Sequence, residues 1–121
     1  MNVLVCVKQV PDTTEIRIDP VTNTLIRAGV PSIVNPFDGY ALEAAARIKD
    51  ADPSTKIVVV SMGPQQAQEA LRTCLAMAAD KAYLASDRAF GGSDTLATSY
   101  IISEVIKKIE ELEGKFDAIF C

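Results

Sequence analysis

Three short runs of mostly apolar residues, at 2–8, 56–62 and 81–85, dominate the sequence and limit the folds open to it. A run of this length with little polar alternation predicts a β-strand covered on both faces, as strands are in parallel sheets. Stretches with helical periodicity separate the runs, and a fourth short apolar run follows at 116–121. The alternation predicts an α/β fold, an open, twisted parallel sheet with helices on both faces. Right-handed crossovers predict the strand order third, second, first, fourth.

The helices and their ends are also indicated by the sequence. Helices are predicted over 39–50, after the second apolar run, and over 94–113. Asp38 is predicted to cap the first helix, and Gly114 to end the last one. The residues of the first helix expected to face the core are Tyr40, Ala41, Ala44, Ala45 and Ile48.

The segment between the first strand and the first helix has a different pattern. Residues 15–27 contain two mixed or alternating stretches joined by the turn-forming residues 20–23, which predicts an inserted β-hairpin. This hairpin is expected to pack on a sheet edge or on a partner. A short extended piece is predicted at 30–34.

Composition and charge exclude several classes of function. With 121 residues the chain fits one domain, 1–121. The chain has a net charge of −4, so it lacks the basic surface that is typical of a nucleic-acid-binding protein. No histidine is present, which removes imidazole catalysis and histidine-ligated metals, and no catalytic residue or metal site is predicted. The three cysteines form no CxxC pair, which indicates reduced thiols and a cytoplasmic location. No apolar stretch approaches the ~20 residues of a membrane-spanning helix.

Ligands of open α/β sheets bind beyond the carboxyl ends of the strands, so the residues at those ends are the candidates. At the end of the second strand, Gly63 would let a ligand approach the backbone closely, although a tight strand-to-helix turn explains it equally. The segment Asn35–Asp38 offers an amide that can pair with a purine edge, but Asn-Pro also opens turns. Neither GxGxxG after the first strand nor GxxxxGK[ST] occurs, which disfavours an ordinary dinucleotide fold and a P-loop.

A glycine-rich loop precedes the longest predicted helix. Gly91 and Gly92 lead to the helix start, where Thr95 and Thr98 add hydroxyl groups, a combination that suits a phosphate or pyrophosphate. The alternative is that Ser93 or Asp94 simply caps the helix after a flexible loop.

The order and spacing of these junctions resemble the β subunit of electron-transfer flavoproteins. The resemblance rests on Val3–Lys8, Asn35–Asp38, Ser61–Pro64, Leu71–Asp80 and Ser86–Ser99, the last of which is most similar to anaerobic bacterial members, some of them electron-bifurcating. It implies a Rossmann-like, adenine-nucleotide-binding fold of the HUP type. It also implies a heterodimer with an α subunit that holds FAD, while the β subunit binds AMP or a second FAD.

The resemblance further implies an electron carrier, not an enzyme, that helps pass electrons between dehydrogenases, such as acyl-CoA dehydrogenase, and acceptors. The residues that would line the adenosine pocket, largely through backbone groups, are Cys6, Asn35, Pro36, Phe37, Asp38 and Met62, with Gly63 in the same turn. In a bifurcating member, Thr95 and Thr98 would approach the rest of a bound FAD. The other interpretation is a non-redox, adenine-nucleotide-binding regulatory module on the same fold.

Family β subunits continue after the fourth strand into a Gly-x-Gln-Ala-Ile-Asp loop that wraps the phosphate. This sequence stops at Cys121, just before that loop. The expectation is therefore an N-terminal fragment, truncated at its C-terminal end.

Overall fold

A computed structural model describes residues 1–12, 17–26 and 31–121. The strands in this part of the chain are β1 (Asn2–Cys6), β2 (Gln9–Pro11), β3 (Ser32–Val34), β4 (Lys56–Met62), β5 (Lys81–Ala85) and β6 (Ala118–Phe120). The α-helices are α1 (Pro36–Ala51), α2 (Gln68–Met77) and α3 (Thr95–Glu113), with short 3₁₀ turns at Gln65–Ala67 and Arg88–Phe90.

The central sheet has four parallel strands in the order β5-β4-β1-β6, which confirms the predicted order. The two middle strands carry the longest fully buried stretches, Val3–Val5 and Ile57–Val60, as expected for strands covered on both faces. β1 is shorter than the predicted 2–8. Its last residue is Cys6, and the chain then leaves the sheet to form β2.

The helices lie on both faces of the sheet, as predicted. α1 and α2 pack on one face, which includes Val3, Val5 and Val59. α3 packs on the other face, where Ile109 meets Leu4, Val58 and Val60. Successive residues of a strand point to opposite faces of the sheet. α1 and α2 therefore contact one set of alternating residues in β1 and β4, and α3 contacts the other set.

One prediction about α1 is wrong, and another is confirmed only for Ala45 and Ala41. The helix begins at Pro36 and its N-cap is Asn35, whereas Asp38 lies in the first turn. Proline suits the first helical position because the amide hydrogen it lacks would have no partner inside the helix. The buried residues are Leu42 and Ala45, and Tyr40 is 71% exposed. Since successive residues turn by about 100°, Tyr40 points almost opposite to Leu42.

A second, two-stranded sheet was not anticipated from the sequence. β2 and β3 pair antiparallel, with Gln9 opposite Val34. The ends of the predicted hairpin 15–27 lie outside the described residues. Within 17–26, Ile18 and Leu25 form an antiparallel bridge, so the hairpin turn is present where it was predicted.

Candidate functional site

The carboxyl ends of the four parallel strands meet at one edge of the sheet, called the carboxyl edge below. β1 ends there at Cys6, beside Val60 of β4, and β4 ends at Met62, beside Ala85 of β5. β6 ends at the same edge at Phe120, next to Val5. The topology therefore gathers the candidate residues Cys6, Met62 and Gly63 at the place where open α/β sheets bind ligands.

The segment Asn35–Asp38 is fastened to the chain that leaves β1. The amide nitrogen of Asn35 donates to the carbonyl oxygen of Lys8 at 2.8 Å, and the amide nitrogen of Lys8 donates to Asp38 Oδ2 at 2.7 Å. Asn35 Nδ2 donates to the other oxygen of Asp38 at 3.3 Å. Asp38 thus holds the start of α1 against the end of β1, and the Asn35 amide is already engaged within its own turn.

The fold itself explains why residue 63 is a glycine. A Cβ at this position would lie 3.2 Å from Cβ of Ala67, closer than ordinary van der Waals contact. The amide nitrogen of Gly63 donates to the carbonyl oxygen of Ala85 at 3.0 Å, which connects the turn after β4 to the end of β5. The tight-turn interpretation of Gly63 is therefore supported, and its role toward a ligand stays a prediction.

Two buried polar residues lie at the carboxyl edge. Ser61 belongs to the Ser61–Pro64 junction that the sequence indicated, whereas Gln9 was not selected as a site residue by sequence reasoning. Gln9 is 5% exposed, and its Nε2 donates to the carbonyl oxygen of Gln66 at 3.1 Å, so it connects the segment after β1 to the turn after β4. Gln9 Oε1 and the hydroxyl of Ser61 have no hydrogen-bond partner among the described residues. Buried polar atoms normally have a partner, so these two mark a place where polar groups are incompletely satisfied. A glutamine directly after an apolar run was the available indication for Gln9.

The side chain of Cys6 is uncharged at neutral pH, which suits a residue that lines a pocket for an uncharged group. Burial raises the pKa of the Cys6 thiol to about 12, with further contributions from the neighbouring Cys121 and Asp38. The thiol therefore stays protonated at neutral pH and acts as a small apolar group. Met62, at the end of the neighbouring strand β4, is half-buried.

The aromatic ring predicted to lie near the pocket faces outward. Phe37 is 76% exposed and packs edge-to-face with Tyr40, the ring centroids being 6.2 Å apart. Pro36 is exposed as well. Any contribution of these two residues to a pocket would come from the backbone, as the family resemblance implies.

Thr95 and Thr98 lie in the first turn of α3, on the opposite face of the sheet from α1. Asp94 caps this helix, because its Oδ1 accepts from the amide nitrogen of Ala97 at 2.8 Å. The capping interpretation is confirmed, and a phosphate at this helix start would have to approach the Asp94 carboxylate. Asn35, at the start of α1, is on the other face from the two threonines, whereas the alternation along β4 puts Met62 on the same face as α3.

A shallow groove elsewhere on the surface does not suit an anionic ligand. It has a volume of about 610 Å³ and lies between the second half of α1 and the end of α2, away from the carboxyl edge. Glu43 and Asp50 line it, together with Lys49. Two carboxylates repel a phosphate, so the candidate site remains at the carboxyl edge.

Comparison with known proteins gives the family. The electron transfer flavoprotein domain matches residues 22–121. The chain is also similar to the electron transfer flavoprotein subunit beta of Megasphaera elsdenii, at 61% identity over 123 residues, which cover 100% of this chain and 46% of that protein.

Two further relatives have different names. The caffeyl-CoA reductase-Etf complex subunit CarD of Acetobacterium woodii is 61% identical over 113 residues, 93% of this chain and 43% of that protein. Protein FixA of Azotobacter vinelandii is 59% identical over 120 residues, 99% of this chain and 42% of that protein.

These matches define a flavoprotein-type α/β chain, and the chain belongs to the electron transfer flavoprotein domain family. It resembles the β subunits of that family, including those of anaerobes, as the sequence motifs predicted. The chain spans less than half the length of the curated relatives named above. Among the described helices, none has the length and hydropathy needed to cross a membrane.

Proposed function

We propose that this chain is the nucleotide-binding part of an electron transfer flavoprotein β subunit. In this role it binds AMP or a second FAD at the carboxyl edge and helps pass electrons between dehydrogenases and acceptors as a carrier. The observation that carries the proposal is the fastening of Asn35–Asp38 to Lys8, which places the candidate segment directly beside the end of β1. The resemblance to β subunits over the length of this chain supports it.

The chemistry of the carboxyl edge fits an adenosine group. Adenine is a flat, uncharged ring, and the protonated Cys6 thiol and the half-buried Met62 offer uncharged surface to it. Adenine and ribose also carry amino and hydroxyl donors, and the buried Oε1 of Gln9 is an acceptor with no partner among the described residues. A bound flavin would supply the redox chemistry, whereas these residues would only hold and orient the nucleotide.

The proposed partners are an α subunit that holds an FAD and a dehydrogenase such as an acyl-CoA dehydrogenase, in the cytoplasm. Exposed apolar side chains support a subunit interface near the carboxyl edge. Phe37 and Tyr40 lie at the start of α1, and Leu96 and Tyr100 are 77% and 67% exposed near the start of α3. The three free cysteines agree with a reducing compartment.

One observation favours a second candidate, a non-redox adenine-nucleotide-binding regulatory module. Thr95 and Thr98, which are expected to approach the rest of a bound FAD, lie on the other face of the sheet from Asn35, so the Asn35 segment alone would hold no more than one nucleotide. Such a module would bind AMP or ATP and carry no chromophore.

The two candidates are separated by producing the full-length subunit together with its α subunit and measuring the flavin spectrum. The proposed function predicts a yellow complex whose flavin is bleached by a reduced dehydrogenase and whose β subunit releases AMP or FAD on denaturation. Met62→Glu should reduce nucleotide retention at least tenfold, which corresponds to about 1.4 kcal/mol, because a carboxylate would enter the adenosine pocket. Met77 is 60% exposed and remote from the carboxyl edge, so the control substitution Met77→Glu should leave nucleotide retention unchanged.

A colourless subunit that binds AMP or ATP as a homodimer would contradict electron transfer and support the regulatory module. Equal nucleotide retention in the Met62→Glu and Met77→Glu variants would show that the nucleotide does not bind at the carboxyl edge.

A further inference from the structure

Two cysteines from distant parts of the sequence become neighbours at the carboxyl edge. β1 and β6 pair in parallel, with Val3 opposite Ala118 and Val5 opposite Phe120. The next position in this register places Cys6 beside Cys121. Adjacent strands are about 4.8 Å apart, and cross-strand neighbours point to the same face.

Both side chains belong to the α3 face of the sheet. Cys6 packs at the margin of the cluster that includes Ile109, whereas Phe120 packs on the opposite face, so Cys121 follows the alternation back to the α3 face. The two thiols are also close enough that Cys121, next after burial, contributes to the raised pKa of Cys6.

We propose that Cys6 and Cys121 form a dithiol that closes to an intramolecular disulfide by exchange with a small-molecule disulfide. Neighbouring strand positions have Cα separations within the range that disulfides require, about 4.4–6.8 Å. The third cysteine, Cys74, is fully buried on the other face, among the residues under α1 and α2, and takes no part. This dithiol goes beyond nucleotide binding and does not depend on it.

The surroundings of Cys6 set the order of the reaction. Cys6 is half-buried at the end of β1, so it is the second thiol to react. Cys121 loses its proton to solvent, and the thiolate attacks one sulfur of the small disulfide, releasing one small thiol and forming a mixed disulfide. Cys6 then loses its proton and attacks the Cys121 sulfur, releasing the second small thiol. Two protein thiols are oxidised, and one small disulfide is reduced to two thiols.

The surroundings of Cys6 are consistent with its role as the second, resolving thiol. Burial, the adjacent Cys121 and the Asp38 carboxylate all raise its pKa, so Cys6 is a poor first nucleophile. Cys121 carries no thiolate charge once it is part of the mixed disulfide. Its charge therefore no longer raises the pKa of Cys6 when the second step begins. Closure would join the ends of β1 and β6 beside the proposed nucleotide site.

The test is to incubate the reduced protein with oxidised glutathione, count the remaining thiols and map the disulfide by mass spectrometry. We expect two of the three thiols to be lost and Cys6 to be linked to Cys121. In Cys6→Ser, a glutathione adduct should persist on Cys121. The matched control Cys74→Ala should close as the wild type does. A dithiol-specific organoarsenical, which bridges two nearby thiols, should bind the wild type and neither single variant, Cys6→Ser or Cys121→Ser.

Persistence of the Cys121–glutathione adduct in the wild type would overturn the proposal. Dimers linked through Cys121 of two chains, or an organoarsenical that binds Cys6→Ser as tightly as the wild type, would overturn it as well. None of these measurements involves a nucleotide, so their failure would leave the proposed function untouched.

Discussion

Replacing Ile109 with alanine is expected to lower the free energy of unfolding by about 2–5 kcal/mol. Within α3, all of which the structure describes, Ile109 is the one buried apolar residue, at 2% exposure. Its side chain packs against Leu4, Val58 and Val60 of the two central strands. Truncation would leave a cavity at the contact that holds α3 to the sheet.

The matched control for this substitution is Leu112→Ala on the same helix. Leu112 is 64% exposed, so its truncation should change the free energy of unfolding by no more than about 0.5 kcal/mol. Urea unfolding followed by circular dichroism measures both variants. Equal losses in the two variants would show that Ile109 does not anchor α3 as described.

Glu113→Gln is expected to cause a large loss of stability at neutral pH. The side chain of Glu113 is 3% exposed at the end of α3, where it accepts from Lys56 Nζ and the Tyr83 hydroxyl and pairs with Lys81 Nζ at 3.0 Å. One carboxylate therefore joins α3 to β4 and β5. Lys56 and Lys81 are themselves partly exposed, so the loss comes from the charge-assisted bonds that the carboxylate accepts and that a glutamine amide cannot replace in full.

The same substitution should change how stability depends on pH. The bond from Lys56, followed by those from Tyr83 and Lys81, lowers the pKa of Glu113 from 4.5 to about 2. Because the folded-state pKa lies below the unfolded value, the contribution is complete above pH 4.5 and is lost as the pH falls toward 2. We expect the Gln variant to lose stability less steeply than the wild type across this window.

Glu111→Gln is the matched control for Glu113→Gln, since Glu111 is 66% exposed and pairs only at the surface with Lys108. Urea unfolding at a series of pH values between 2 and 7 compares the three proteins. If the pH profile of Glu113→Gln coincides with that of Glu111→Gln, the buried position of Glu113 has been assigned wrongly.

The parallel sheet was predictable because its two middle strands are buried on both faces and therefore appear as continuous apolar runs. The start of α3 at Thr95 and its end before Gly114 were predictable from local capping chemistry. The buried face of α1 was not, because alanines on several sides of the helix leave its apolar stripe ambiguous. The pairing of β2 with β3 depends on contacts between segments distant in sequence, which local patterns do not contain.

The site was predictable only in outline. Topology alone places Cys6 and Met62 at one edge of the sheet, but the bond from Lys8 to Asp38 depends on how the chain returns after the hairpin. Burial of Gln9 could not be expected from composition, because an isolated glutamine is usually exposed. The position of Thr95 on the other face follows from which side of the sheet α3 crosses, which the loop before the helix does not reveal.

The most direct test of the account is a titration of the isotope-labelled chain with AMP, followed through the backbone amide signals in NMR spectra. We predict that the largest shifts occur at the carboxyl edge, at Cys6–Lys8, Asn35–Asp38 and Met62–Gly63. The loops at the opposite end of the strands, 52–55 and 78–80, should be unaffected. Shifts concentrated in those opposite loops would contradict a nucleotide site at the carboxyl edge of this chain.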